Sequence, residues 1–321
     1  MKRPRDLPLK LSFSMLILAA ACSAPAAEAD SRASMWVDLY RGEPIAYDAI
    51  LADLAGARVV YLGERHTLKR HHELQARIIT DLGKAGVPLV LGLEQMEAPQ
   101  QPALDKYWKG KIDFDQLAQK TGWATRWRSY NQYRPVLEAA RKAGAPILAL
   151  NARQETIRAV ARSGGIDKLD PELRQELPDK IETNDPTYVK LLNIYMKVHK
   201  AATPERMRPM FEAQMSRDEM MASVLCEFLK SKPGKGRTAI VVCGAGHVNY
   251  GLGTAARVRR RMPGVKDRIL LFSESGDVVL APAMKAASRS ITVTHQDLRA
   301  IDQPIADYLH VKDLKRTPTP E

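Results

Sequence analysis

The sequence predicts an α/β fold in which a mostly parallel β-sheet is flanked by helices and a helical insertion acts as a lid or subdomain. Three observations lead to this prediction. Short apolar runs recur along the chain, segments with helical spacing separate them, and one stretch of about fifty residues has no strand signal. Apolar strands that alternate with helices are typical of a parallel sheet covered on both faces.

Five apolar runs predict the strands, at 58–62, 87–93, 145–150, 238–243 and 269–272. The segment 69–82 predicts a helix after the first strand, because its apolar residues recur at helical spacing. Further helices are expected at 100–109, 114–121, 135–143, 209–229 and 254–262, with Pro209 tolerated in the first turn of its helix. The polar stretch at about 153–208 is the predicted helical insertion.

The N-terminus predicts export. A basic segment followed by an apolar run to Ala21 is typical of a signal peptide over residues 1–21 and is too short for a stable membrane span. Small residues before Cys22 are similar to the lipidation site of bacterial lipoproteins, although Ala19 stands where leucine is usual. We therefore predict lipidation of Cys22, a tether over 22–34, and an envelope lipoprotein at the outer membrane. Cleavage near Ala26, giving a soluble periplasmic protein, is the alternative.

The composition is that of one large domain, predicted over 35–321, or of two ordinary ones. The 321-residue chain is 45% hydrophobic with a mean hydropathy of −0.30, as in soluble globular proteins. Its net charge of +12 favours anionic partners. The basic residues are scattered and no nucleic-acid-binding module is recognisable, so nucleic acid is not expected as a partner. Cys226 and Cys243 are expected to be small buried residues.

The tetrapeptide pattern Gly-x-x-His occurs twice, and each copy follows a predicted strand. His66 and Glu64 follow the first strand, Glu94 follows the second, and His247 follows the fourth. Ligands of open α/β sheets gather outside the carboxyl ends of strands, so these four side chains are expected in one site. They are suitable ligands for a divalent metal or suitable acid–base groups. The plainer interpretation of each residue alone is loop solvation.

Aromatic and basic residues in two other segments suggest a flat ligand. Tyr188, Tyr195 and His199 lie on one predicted helix stripe in the insertion, with Lys197 beside them. A phenolate that binds iron, an imidazole that supports it and a lysine that meets the propionates would suit ferric haem. Tyr133 belongs to an aromatic-rich segment, 122–135, that either walls a flat apolar ligand or anchors a loop. An amphipathic helix with half-buried tyrosines is the plainer interpretation of the stripe.

Several segments together resemble the ChaN family, the haem-binding uptake proteins of the wider Tiki superfamily. The resemblance runs from about Trp36 to Tyr308 and rests on an ordered set of motifs: 61–66 with His71 and His72, 93–94, 101–105, 121–127, 133–135, 149–151, 212–222 and 244–251.

This resemblance implies a lipoprotein that binds haem for iron acquisition without catalytic turnover. It also implies a homodimer holding two haems face to face, in which a tyrosine of one subunit binds each iron and His and Lys of the other meet the propionates. A haem receptor or transporter is an implied partner. The wider superfamily includes metal-dependent hydrolases, so a hydrolase that uses Glu64, His66, Glu94 and His247 is the alternative.

Overall fold

The computed structural model describes residues 34–198, 203–274, 282–289 and 291–312. Within these residues, one eight-stranded sheet forms from β1 (Met35–Asp38), β2 (Glu43–Ile45), β3 (Val59–Glu64), β4 (Leu89–Glu97), β5 (Ile147–Asn151), β6 (Thr238–Gly244), β7 (Asp267–Phe272) and β8 (Tyr308–Val311). The strand order is β2-β1-β8-β7-β3-β6-β4-β5. All pairs from β8 to β5 are parallel, whereas β1 is antiparallel to both of its neighbours. The predicted α/β fold with a mostly parallel sheet is confirmed.

Helices follow most strands and cover both faces of the sheet. They are α1 (Tyr47–Ala55), α2 (Lys69–Lys84), α3 (Gln101–Trp108), α4 (Phe114–Thr121), α5 (Trp123–Arg126), α6 (Arg134–Lys142), α7 (Gln154–Ser163), α8 (Pro171–Arg174), α9 (Pro186–Met196), α10 (Pro204–Lys230), α11 (Thr254–Arg261), α12 (Pro282–Ala287) and α13 (His295–Leu298). None of the helices in the described residues is long and apolar enough to cross a membrane.

The alternation of side chains along β3 divides the core into two layers. Val60 and Leu62 pack with α1, α2 and α6 on one face of the sheet. Val59 and Tyr61 pack with α10 and α11 on the other face. Successive residues of a strand point to opposite faces, so a strand covered on both sides is apolar throughout. This explains why the sequence of β3 has no polar position before Glu64.

Two predictions about the elements are corrected. The helix expected at 209–229 begins at Pro204, so Pro209 lies inside α10 and not in its first turn. The strands β1, β2 and β8 carried no strand signal in the sequence, because they are short and have partly exposed side chains. In the predicted insertion, the described residues form α7, α8, α9 and the start of α10 without a strand.

The register of the central strands determines where the polar side chains meet. β3 lies between β7 and β6, and Gly63 and Glu64 stand opposite Cys243 and Gly244 of β6. β4 flanks β6 on its other side, with Leu93 opposite Val242. The carboxyl ends of β3, β6 and β4 are therefore adjacent, and the two Gly-x-x-His segments leave the sheet side by side.

Candidate functional site

The carboxyl ends of β3, β6 and β4 bring the four predicted strand-end residues into one continuous chain of contacts. His66 Nδ1 lies 2.8 Å from Glu64 Oε1, and His66 Nε2 lies 3.8 Å from Glu94 Oε1. The same Glu94 oxygen lies 3.3 Å from His247 Nε2. His247 Nδ1 is in turn 2.7 Å from Asp218 Oδ1 on α10. We call these five residues the strand-end cluster.

Glu64 is held from several sides inside the protein. Its carboxylate accepts hydrogen bonds from Tyr133, from Gln75 Nε2 at 2.7 Å and from Gln95 Nε2 at 3.0 Å. His72 Nδ1 lies 3.1 Å from its second oxygen. Burial alone would raise the pKa of Glu64, but hydrogen bonds with His66 and His72 lower it to about 2. Glu64 is therefore a fixed anion that orients the ring of His66.

Asp218 performs the corresponding role for His247. Besides the imidazole, its carboxylate accepts hydrogen bonds from Tyr188 at 2.8 Å and from Thr254 at 2.8 Å. Burial alone would lower the pKa of His247, but the carboxylates of Glu94 and Asp218 raise it to about 10. His247 is consequently an imidazolium at neutral pH.

Glu94 joins the two halves of the cluster. Burial would raise its pKa, but the imidazoles of His247 and His66 hold it well below its usual range. The pKa of His66 is raised, since the neighbouring carboxylates of Glu94 and Glu64 outweigh burial, which alone would lower it. Three carboxylates and two imidazoles thus alternate along the cluster, and each imidazole lies between two carboxylates.

The backbone of Gly244 lies against this cluster. Its N–H donates to Glu94 Oε2 at 2.6 Å, and a Cβ atom at this position would lie 2.9 Å from His66 Nε2. A side chain here would displace the imidazole. The glycine that opens the second Gly-x-x-His segment is therefore required for the close approach of the two segments.

The arrangement does not support the divalent metal alternative. Within the described ranges, no group of three or more His, Cys, Asp or Glu residues could hold a metal ion. The physical reason is that the oxygens of Glu64 already accept hydrogen bonds from Tyr133 and two glutamines. Both ring nitrogens of His247 likewise face carboxylates, with Nδ1 2.7 Å from Asp218 Oδ1 and Nε2 3.3 Å from Glu94 Oε1.

A cavity of about 310 Å³ opens beside the cluster. Its lining includes Glu94, Trp127, Asn151, Gln214, Arg217 and His247. The ring of Trp127 meets that of His66 edge-on, with 4.8 Å between centroids. The cavity thus combines one aromatic wall with charged and amide groups, a lining suited to a polar ligand of modest size.

The predicted haem-ligand stripe lies on α9, against the segment that follows β6. Tyr188 is fully buried, and its hydroxyl donates to Asp218. Tyr195 is half-buried, and its hydroxyl accepts a hydrogen bond from Asn249 Nδ2 at 2.6 Å. Lys197 ends the helix and is half-exposed, with Nζ 3.5 Å from Asp297. His199 and Cys22 lie outside the described residues.

Two groups of residues near the cluster are mostly buried in the core. His71 and His72 are fully buried, and His71 Nδ1 accepts a hydrogen bond from Arg65 N at 3.0 Å. Trp123 and Tyr133 are also buried in the core, whereas Trp127 lines the cavity. The aromatic segment therefore both anchors a loop and supplies a cavity wall.

The contribution of α10 was missed. Gln214, Arg217 and Asp218 are spaced i, i+3 and i+4, so they lie on one face of the helix, toward the cluster. Polar residues at this spacing are the signal that could have identified them. In the sequence they resemble the solvent face of an amphipathic helix.

Comparison with known proteins identifies a family whose profile matches the part of the chain that contains the strand-end cluster. A family profile described as "Haem-binding uptake, Tiki superfamily, ChaN" matches residues 50–258. Among solved structures, "Cofacial heme binding to ChaN of Campylobacter jejuni" is similar with a TM-score of 0.64 and 17% identity, covering 88% of this chain and 98% of that one. An erythromycin esterase mutant is more distantly similar, with a TM-score of 0.43 and 14% identity, covering 74% of this chain and 76% of that one. No curated protein sequence matches the chain.

Proposed function

Because the chain belongs to the ChaN family of haem-binding uptake proteins in the Tiki superfamily, we propose that it binds haem and takes part in haem or iron acquisition at the cell envelope. The family match over residues 50–258 carries this proposal. It includes the strand-end cluster and α9. The relative from Campylobacter jejuni is described as binding haem cofacially, which adds support.

The position of α9 supports a haem site at the carboxyl edge of the sheet. Both tyrosines of this helix contact the segment after β6: Tyr188 lies 3.5 Å from the Gly246 carbonyl, and Tyr195 contacts Asn249. Helix α9 therefore lies beside the strand-end cluster, as expected of a lid. Phenol oxygen is an established axial ligand of haem iron in proteins.

Of the two tyrosines, Tyr195 fits the role of axial ligand better. Its hydroxyl accepts one hydrogen bond and its ring is half-buried, so an iron can approach after a small displacement of Asn249. Burial raises the pKa of Tyr195 to about 12, so binding iron would have to displace its proton. Tyr188 donates to Asp218 inside the protein, and its ligation of iron would require α9 to leave the sheet.

The remaining predicted haem-site residues are Lys197, His199 and Tyr133. Lys197 is exposed enough to reach a propionate, provided that its weak pair with Asp297 opens. His199 would extend the stripe. Tyr133 fixes Glu64, so its proposed contribution is indirect. Bound haem would supply iron for transfer, and we propose no catalytic turnover.

The proposed cellular setting follows from the N-terminal sequence. We propose cleavage of residues 1–21 and lipidation of Cys22, which would hold the protein at the outer membrane by its tether. A homodimer would allow two haems to stack, and a haem receptor or transporter would exchange haem with it. Failure of labelled palmitate to enter the protein, or equal labelling of a Cys22→Ala variant, would contradict the anchor.

Hemin titration of the protein, with metal analysis of the same sample, tests the proposed function. We expect a saturable Soret band with the high-spin signature of tyrosine ligation. A globular protein of similar size and net charge is the control for non-specific adsorption. Equal binding of hemin to both proteins would contradict haem binding, whereas a stoichiometric transition metal in the purified protein would favour the hydrolase alternative.

A further inference from the structure

Arg217 is a half-buried cation without a carboxylate partner. In the described part of the chain, its guanidinium makes one long hydrogen bond, 3.4 Å from Nη1 to Asn151 Oδ1, and no ion pair within 4.0 Å. Burial lowers the pKa of Arg217, while the more distant carboxylates of Glu94, Glu97 and Asp218 oppose this effect. A guanidinium has five N–H donors, so most of its hydrogen-bonding capacity is directed elsewhere.

Two other arginines of the molecule have carboxylate partners. Arg126, at the mouth of the same cavity, pairs with Glu97 at 2.6 Å and with Glu155 at 3.2 Å. The fully buried Arg257 lies 3.3 Å from Glu219 and donates to two backbone carbonyls. Arg217 differs from both, because it lines the cavity without an ion pair within 4.0 Å, whereas Arg126 and Arg257 each lie within that distance of a carboxylate.

The carboxylates that act on Arg217 from a distance, those of Glu94, Glu97 and Asp218, all have other partners. Glu94 contacts His66 and His247 and accepts the N–H of Gly244, and Glu97 pairs with Arg126. A charge that is partly desolvated and unpaired is unfavourable, and an incoming anion would remove that cost. The side-chain amides of Asn151, Gln154 and Gln214 line the same cavity.

We propose that this cavity is a carboxylate-binding site in which Arg217 is the principal ligand-binding residue. A carboxylate matches the planar fork of arginine, which binds it in a bidentate manner. The volume of about 310 Å³ accommodates a small organic acid, or one acidic side chain of a larger ligand that rests on Trp127. The two sources of the carboxylate are thus a free small acid and a porphyrin propionate.

Intrinsic tryptophan fluorescence, to which Trp127 contributes, and calorimetry with iron-free probes test the site. The probes are succinate, protoporphyrin IX and protoporphyrin IX dimethyl ester. Without iron, none of them depends on the proposed tyrosine ligand, so failure here is distinct from failure of haem binding. We expect saturable binding of at least one acid probe, weakened roughly 10- to 100-fold by Arg217→Gln. The affinity of Arg217→Lys for the acid probes should lie between those of native protein and Arg217→Gln, since lysine keeps the positive charge but lacks the planar fork of donors.

Exposed Arg162 on α7 provides the matched control. Arg162→Gln should bind every probe as the native protein does, and thermal unfolding should show that Arg217→Gln remains folded. Binding of succinate that is weakened by Arg217→Gln would identify a free small acid as the ligand. If Arg217→Gln weakens binding of protoporphyrin IX but not of its dimethyl ester, the ligand is the porphyrin propionate. Affinities that are equal in native and Arg217→Gln protein, or no saturable binding of any acid probe, would overturn the proposal.

Discussion

The strand-end cluster and α9 both carry residues that the sequence nominated for a site, yet the structure treats them differently. At the strand ends, Glu64, His66, Glu94 and His247 meet within hydrogen-bonding or ion-pair distance. On α9, Tyr188 and Tyr195 share a face but reach different partners. The register of a parallel sheet determines which strand ends meet. Helical periodicity determines only which side chains point the same way, so their partners depend on packing.

The largest expected loss of stability comes from substituting Asp218, which contacts both His247 of the strand-end cluster and Tyr188 of α9. Asp218→Ala removes the acceptor of His247, Tyr188 and Thr254 at once. Loss of one partner of a buried ion pair should lower the free energy of unfolding by about 3–5 kcal/mol. Urea unfolding measures this effect. Asp115→Ala, at a side chain that is 73% exposed, is the control and should cost less than about 1 kcal/mol. Similar losses in both variants would show that Asp218 is not a structural link.

A smaller loss of stability is expected when a single hydrogen bond to the strand-end cluster is removed. Tyr133→Phe removes one donor to the buried Glu64 carboxylate while keeping the ring packed in the core. The free energy of unfolding should fall by about 1–3 kcal/mol. Tyr40→Phe, at a ring that is 64% exposed, should leave it unchanged. If the two substitutions have equal effects on urea midpoints, Glu64 does not depend on this hydrogen bond.

The pH dependence of stability should report His247. Its pKa rises from 6.5 to about 10 on folding, so the protonated form binds its carboxylate partners in the folded state. The stabilisation is therefore complete below pH 6.5 and is lost as the pH rises toward 10. Thermal midpoints of the native protein should fall across this window, and those of His247→Gln should fall less. Parallel curves for the two proteins would contradict the assigned charge of His247.

The smallest effect is expected at the exposed end of α9. Lys197→Met breaks a long surface pair with Asp297 and should change the free energy of unfolding by less than about 1 kcal/mol. Hemin affinity should nevertheless fall several-fold if Lys197 meets a propionate. Lys190→Met on the same helix is the control. Unchanged hemin affinity in Lys197→Met would remove Lys197 from the proposed haem site.

The prediction of the fold was accurate for strands that are buried on both faces, because burial leaves a continuous apolar run in the sequence. Each of the five strands predicted from the sequence contains a run of buried apolar residues, so their positions followed from the sequence. β1, β2 and β8 lie on one side of the sheet, where partial exposure permits polar residues and Pro44. Such strands are defined by their pairing partners, which no local pattern reveals.

Only the part of the candidate site that lies at the strand ends was predicted from the sequence. Glu64 is the last residue of one apolar strand and His247 lies three residues past the end of another, and these positions mark them. Asp218 and Arg217 come from a helix, and their role depends on which face of α10 packs on the sheet. Polar positions on a helix are ordinarily solvated, so only the packed structure separates these two from their exposed neighbours.

Hemin titrations of native protein and of the Tyr195→Phe, Tyr188→Phe and Tyr40→Phe variants test the proposed haem site most directly. We expect Tyr195→Phe to weaken binding about tenfold or more and to abolish the tyrosine-ligated high-spin spectrum. Tyr188→Phe should lower stability through Asp218 yet bind hemin with a native spectrum, and Tyr40→Phe should behave as native protein. A Tyr195→Phe variant with native affinity and spectrum would contradict the proposed haem site on α9.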